Sequence, residues 1–178
     1  METPALLKTN ILIVVDTNMV MAEYRHPSMK FNKPTLINDK GIFLLSSLKR
    51  GSALKPETGI AKATGKLTFV AFRGTSIEEN ADSAIIIYKV NGQKENSTLG
   101  KFTVQKKTID MAVMPDNTTP NGLPAIYGNI NFTSITSRMP IGIQKITISF
   151  ALYTLDDDKE TQKLYGYYCF NTDITIGA

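Results

Sequence analysis

The residues best placed to do chemistry begin with Asp16. It directly follows Ile-Leu-Ile-Val-Val (Ile11–Val15), the densest apolar run in the chain. A buried strand that ends on an aspartate delivers a carboxylate to a loop, as metal-dependent hydrolases do. Such chemistry needs several carboxylates converging on one or two hard cations. Asp16 would be one ligand, with Glu57, Asp82 and Asp110 as its conceivable partners. The opposing reading is structural. Asp16 and Thr17 would then hold the following turn through local hydrogen bonds. No second acidic motif and no run of helices supports a hydrolase, so the structural reading is preferred. Asp16, Thr17 and Arg73 are assigned to scaffold rather than catalysis.

Other reactive side chains are sparse. The chain has one cysteine, Cys169, and one histidine, His26. That is too few for a Cys/His zinc site, and a lone cysteine closes no internal disulfide. Cys169 sits in the apolar stretch Tyr165–Phe170 and reads as a small buried residue. His26 precedes Pro27 in a polar loop. Asp156-Asp157-Asp158 lacks the alternating spacing and glycine of a calcium loop and reads as a solvated turn. There is no phosphate-cradling glycine loop and no Gly-x-Ser-x-Gly. No cofactor or metal is expected.

The remaining candidate is a binding loop. Pro115–Asn129 holds Asn117, Asn121, Tyr127 and Asn129, amides and a ring that suit sugar hydroxyls and pyranose faces. Its composition is equally that of an ordinary turn. The chain also carries Asn-x-Ser/Thr sequons at Asn96, Asn117 and Asn131. In a cytoplasmic protein these are chance matches.

Composition narrows the partners. The 178 residues carry a net charge of +4, with 20% charged and 42% hydrophobic residues, which suits one globular domain spanning 1–178. The lysines are dispersed, with no basic stripe to track nucleic acid. The apolar run before Asp16 is too short for a signal peptide, and nothing approaches a membrane span. The expected location is the cytoplasm.

The elements that position these residues are strands. Ile11–Asp16 reads as a strand buried on both faces, since five consecutive aliphatics leave no polar face. Met19–Tyr24 suits one helical turn or an extended edge. Arg25–Lys40 reads as loop, Ile42–Leu45 as a strand, and Lys49–Gly65 as a long connection that could hold a poor edge strand. Lys66–Arg73 reads as a central strand stopped by Gly74-Thr75-Ser76. Ser83–Val90 is β-branched at its centre and runs into Asn91-Gly92, a strong turn signal. Thr98–Met114 reads as half-exposed with a bend near Lys106-Lys107, and Asn129–Thr136 as a short strand. Gln144–Leu155 and Lys163–Phe170 alternate and form a hairpin across the acidic turn, before a last strand at Asp173–Ile176. No sustained helical stripe occurs. The class is therefore all-β, an antiparallel β-sandwich of about eight or nine strands with at most one or two short helical turns. A closed barrel is the alternative.

Three resemblances bear on function. The strand followed by Asp-Thr-Asn (Asp16–Asn18) resembles the opening of PIN-domain ribonucleases, which implies a metal-dependent nuclease; that fold is α/β and needs crossover helices. Asp16-Thr17 also resembles the Asp-Thr-Gly loop of aspartic proteases, but Asn18 replaces the glycine and no second copy exists. The third rests on an ordered set of blocks: Ile-Leu-Ile-Val-Val-Asp-Thr (Ile11–Thr17), Phe-Val-Ala-Phe-Arg-Gly-Thr-Ser (Phe69–Ser76) with Ile-Ile-Ile-Tyr-Lys-Val (Ile85–Val90), and Leu-Tyr-Gly-Tyr-Tyr-Cys-Phe-Asn-Thr-Asp-Ile-Thr-Ile (Leu164–Ile176). In order and spacing these resemble the AidA/PixA inclusion-body protein family of bacteria, over nearly the whole chain. The resemblance implies cytoplasmic inclusions, no known enzymatic activity and no catalytic residue to carry over. The chain differs in having Phe72 and Phe170 where relatives carry tryptophan, and in having seven methionines where the inclusion-forming relative is methionine-rich. The expected partner is a further copy of the chain, with a glycan as the alternative. Neither nucleic acid nor membrane is expected.

Overall fold

The computed structural model describes residues 8–46, 53–54, 67–93, 100–122, 124–140 and 142–176. The strands are β1 (Lys8–Val15), β2 (Thr35–Ile37), β3 (Ile42–Ser46), β4 (Ala53–Leu54), β5 (Leu67–Ser76), β6 (Ser83–Gly92), β7 (Thr103–Pro115), β8 (Ala125–Pro140), β9 (Gly142–Leu155) and β10 (Gln162–Ile176). One helix, α1 (Thr17–Glu23), is present among the described residues. The strands form a six-stranded sheet, β4-β3-β1-β5-β8-β7, facing a four-stranded sheet, β2-β10-β9-β6. Two open sheets around one core make a sandwich, not a barrel.

Alternation explains the core. Ile11, Ile13 and Val15 of β1 and Val70 and Phe72 of β5 meet Ile85 and Ile87 of β6, Ile146, Ile148, Phe150 and Leu152 of β9, and Tyr168 and Phe170 of β10. Full burial of one such aliphatic or aromatic side chain contributes about 1.5–3 kcal/mol. Phe150 stacks on Tyr168 at 5.6 Å between ring centroids. The Tyr168 hydroxyl, also inside, donates to the Tyr24 carbonyl at 3.0 Å.

Several expectations are corrected. The sandwich is not wholly antiparallel: β1 runs parallel to β5, and β10 runs parallel to β2. The chain between β1 and β5 passes through α1, β2, β3 and β4, which is ample for the crossover a parallel pair needs. The sheets hold ten strands among the described residues, because Arg25–Lys40 contains β2 and the connection after β3 contains β4. β1 is buried on one face only. Leu12 is 36% exposed, and Phe43 and Leu45 lie across β1 from Val14 and Leu12 on the same outer face. No second layer covers that face among the described residues.

Glycine explains two further differences, at Gly74 and Gly128. Gly74-Thr75-Ser76 does not stop β5; these residues pair with Ile13–Val15. A Cβ on Gly74 would lie 2.7 Å from Ile87 Cδ1, so this glycine admits the opposite sheet rather than a turn. Asn91-Gly92 does not close a hairpin, because the partner of β6 is β9 and Asn91 pairs with Thr147. The loop expected to reach Asn129 ends earlier, with β8 starting at Ala125. There Gly128 makes room for Met114, whose Cε would lie 2.2 Å from an added Cβ. The two strands expected within Lys163–Ile176 are one, β10, with a bulge between Leu164 and Gly166. The irregularity in β7 falls between Ile109 and Ala112 rather than at Lys106-Lys107, and Met111 adopts φ +57° there.

A strap bridges the edge of β10 at Ser28 and reaches Tyr88 of β6 at Phe31. Tyr167 N donates to the Ser28 carbonyl at 2.8 Å, and the Tyr88 hydroxyl donates to the Phe31 carbonyl at 2.8 Å. Burial pushes the Tyr88 phenol up to about 12. Pro27 seats on Gly166, where an added Cβ would lie 2.4 Å from Pro27 Cβ and Cγ. Gly166→Ala should therefore lift the strap. Faster amide exchange at Tyr167, with β9 amides unchanged, is the expected result; unchanged exchange at Tyr167 would refute the seating.

Candidate functional site

Asp16 is built into the N-terminus of α1. β1 ends at Val15, and the Asp16 side chain accepts a hydrogen bond from Met19 N at 2.9 Å. Its own N–H donates to the Gly41 carbonyl at 2.8 Å. The geometry is that of a helix cap, in which the side chain satisfies an otherwise unpaired N–H of the first turn. Thr17 is fully buried and shares a hydrogen bond with Ser83 of β6, tying α1 to the opposite sheet. Asn18 adds a bond to Glu78 at 2.8 Å. Asp16→Ala should cost about 1 kcal/mol by urea unfolding, the usual loss for a cap; an unchanged midpoint would refute the capping role.

Arg73 faces outward on β5. Its guanidinium lies 4.0 Å from the Phe132 ring centroid, and its Nε has no protein partner among the described residues. A guanidinium on an aromatic face is held electrostatically by the ring quadrupole.

Among the described residues the hydrolase set is not assembled. Asp82 precedes β6 and Asp110 lies at the β7 bulge, while Glu57 lies outside the described residues. No group of three or more acidic, histidine or cysteine side chains comes together among the described residues. His26 is exposed on the strap. Cys169 is buried, and desolvation pushes its thiol up, away from the reactive thiolate. In the acidic turn, Thr161 donates to Asp158 from its hydroxyl and from its N–H, Glu160 N adds a third bond, and these hold that carboxyl below its ordinary range.

The β7–β8 ribbon is the most distinctive surface. Beyond Ile135, β8 pairs with β7 alone, so the two strands project from the sandwich as a two-stranded arm. Its apolar side chains stay uncovered. Ile109 faces Ile130 across the pair, Val113 faces Tyr127, and Met111, Val113 and Tyr127 are 64–67% exposed. Asn117 and Asn121 lie in the loop at the tip, whereas Tyr127 and Asn129 lie on β8, so the expected binding loop is split between a tip and a strand. The Asp116 carboxyl at the tip accepts from the Thr118 hydroxyl and N–H, which hold it below its ordinary range. Sequence reasoning missed the arm because Pro120, Gly122, Pro124 and Gly128 read as continuous loop. The alternating Ile126, Gly128, Ile130 and Phe132 was the available signal.

Between the arm and β6 lies a groove of about 570 Å³. β6 is the last strand of its sheet, and the arm forms the opposite wall.

The sequence profile of PixA, described as inclusion body protein, matches residues 8–176. A crystal structure of an inclusion body protein (PixA) from Burkholderia cenocepacia J2315 superposes with a TM-score of 0.76 at 25% identity, covering 98% of this chain and 99% of that one. No functionally curated protein matches.

Proposed function

Because the chain belongs to the PixA family of inclusion body proteins, we propose that it is a non-catalytic protein that self-associates in the cytoplasm into a packed body for storage or host contact. No helix among the described residues is long and apolar enough to cross a membrane. The observation that carries the reading is the exposed apolar arm. A projecting edge ribbon with Ile109, Ile130, Met111, Val113 and Tyr127 uncovered is costly to leave in water and ready to pair with a like surface.

The arm is guarded without being closed. Lys106, Lys107 and the bulge at Asp110-Met111 hinder indiscriminate strand pairing, the usual protection of an edge. Contact through side chains, between copies of the same arm, remains open to it. Sedimentation velocity across a concentration series tests this. The expected result is reversible growth from monomer to larger species, with dense bodies in cells that express the protein. A monomer throughout, with no bodies in cells, would overturn the proposal.

A further inference from the structure

The groove between β6 and the arm has a composition that self-association does not use. Lys106, Thr108, Asn131 and Thr133 line one wall, from cross-strand neighbours of β7 and β8. Lys107, Phe132 and Gln162 also line it, and Ala84–Ile87 of β6 supplies an aliphatic wall opposite. Thr108 donates to Asn131 Oδ1 at 2.6 Å, which orients the amide and leaves its NH₂ without a protein partner among the described residues. Lys106 forms no ion pair among them; the ion pairs are Lys40–Glu23 and Lys145–Asp173. The groove thus offers an amide, hydroxyls and the ammonium of Lys106, with Lys107 beside it, to a ligand lying against an apolar surface.

Strand addition is the first alternative to weigh, because β6 is a sheet edge. The edge is already occupied where an added strand would start. Ile85 N donates to Asn80 Oδ1 at 3.0 Å, and Asn80 is fixed there by exchanging bonds with Ser76. Further along, the register shift between Ile87 and Lys89 breaks the regular edge. A peptide extending the sheet would have to displace a satisfied cap and then cross a bulge.

A sugar chain needs neither. Its hydroxyls accept from and donate to amide and hydroxyl side chains, and its C–H faces pack on aliphatic walls. The lysine ammonium at Lys106 selects a carboxylate among those hydroxyls. We infer that the groove between β6 and the β7–β8 arm binds an acidic oligosaccharide, with Lys106 meeting a carboxylate and Asn131 and Gln162 meeting hydroxyls. The same β8 face continues outward to Asn129 and Tyr127, so a longer chain would run along the arm.

The test titrates the full chain, kept dilute enough to be monomeric, with trigalacturonate, maltotriose and hexaglutamate, read by amide shifts. Trigalacturonate should shift groove residues saturably and bind about tenfold more tightly than maltotriose. Lys106→Gln should remove that preference while leaving maltotriose binding unchanged. Asn131→Ala should weaken both sugars. Both side chains are exposed, and unchanged spectra away from the groove show that the variants are folded. No saturable shift with either sugar, shifts confined to other surfaces, or affinities unchanged in both variants would overturn the inference. So would hexaglutamate binding as well as trigalacturonate, since charge alone would then suffice.

Discussion

Gly74→Val should cost about 3 kcal/mol or more and lower the melting temperature by roughly 6–12 °C. Gly74 lies on the inner face of β5, directly under β6. An added Cβ would meet Ile87 Cδ1 and Cγ1 at 2.7 Å and Ile85 Cδ1 at 3.0 Å. Both isoleucines are fully buried, so neither can swing into solvent. Valine adds two further carbons, which must either push the sheets apart or force isoleucine off its rotamer. Overpacking of this kind costs about 1–3 kcal/mol per insertion, and the whole fold of a typical domain is stable by only about 5–15 kcal/mol. Gly74→Ala should cost less, and Ile87→Val in the Gly74→Ala background should recover part of the loss. Thermal unfolding of the three variants checks this. If the double variant is no more stable than Gly74→Ala, the contact with Ile87 is not what excludes a side chain.

The second large effect concerns association. Ile109→Lys with Ile130→Glu should leave a folded monomer. The two positions face each other across the arm and are 42% and 43% exposed, so neither supports the core. Opposite charges directly across a ladder keep a favourable cross-strand pair, which protects the arm itself. An apolar contact made through both isoleucines would lose about 3–6 kcal/mol, so dissociation should rise on the order of a hundredfold or more. Sedimentation velocity at matched concentrations reads this directly. Association unchanged in a folded double variant would move the contact elsewhere, with the outer face around Leu12, Phe43 and Leu45 as the next surface to alter.

Some of this was legible in the residues and some was not. β9 and its hairpin with the first part of β10 were plain, because Ile146, Ile148, Phe150 and Leu152 alternate with polar neighbours and the acidic turn separates two such runs; the continuation of β10 to Ile176 read as a separate strand. The all-β class followed from the absence of any helical stripe. Direction was not legible. Nothing in Ile11–Val15 says whether its neighbour runs with it or against it, since strand direction is decided by connections. Glycine was the main source of error. Gly74, Gly92 and Gly128 read as breaks, yet Gly74 and Gly128 sit inside strands and Gly92 is the last residue of β6; Gly74 and Gly128 serve close approach, by Ile87 and by Met114. Local sequence marks where a side chain is missing, not which neighbour fills the space. The groove was invisible for a related reason. Lys106, Asn131 and Gln162 come from three strands, and only the departure of the arm from β5 brings them to one cleft.

The parallel pairing of β1 with β5 also sets an order of events during synthesis. β1 leaves the ribosome before its partner on one side, which appears only after α1, β2, β3 and β4 have been made. β2 waits longer still, for β10, the tenth strand described. Contacts closed over such long stretches are slow to form, and aliphatic segments left waiting are prone to stick to one another. One edge of Ile-Leu-Ile-Val-Val is therefore unpaired in every nascent chain until β5 arrives, and its inner face is uncovered until the facing strands β6, β9 and β10 follow. Bodies seen in expressing cells could then arise from unfinished chains as well as from finished ones. Refolding rate and native-state antibody binding of the recovered material distinguish the two origins.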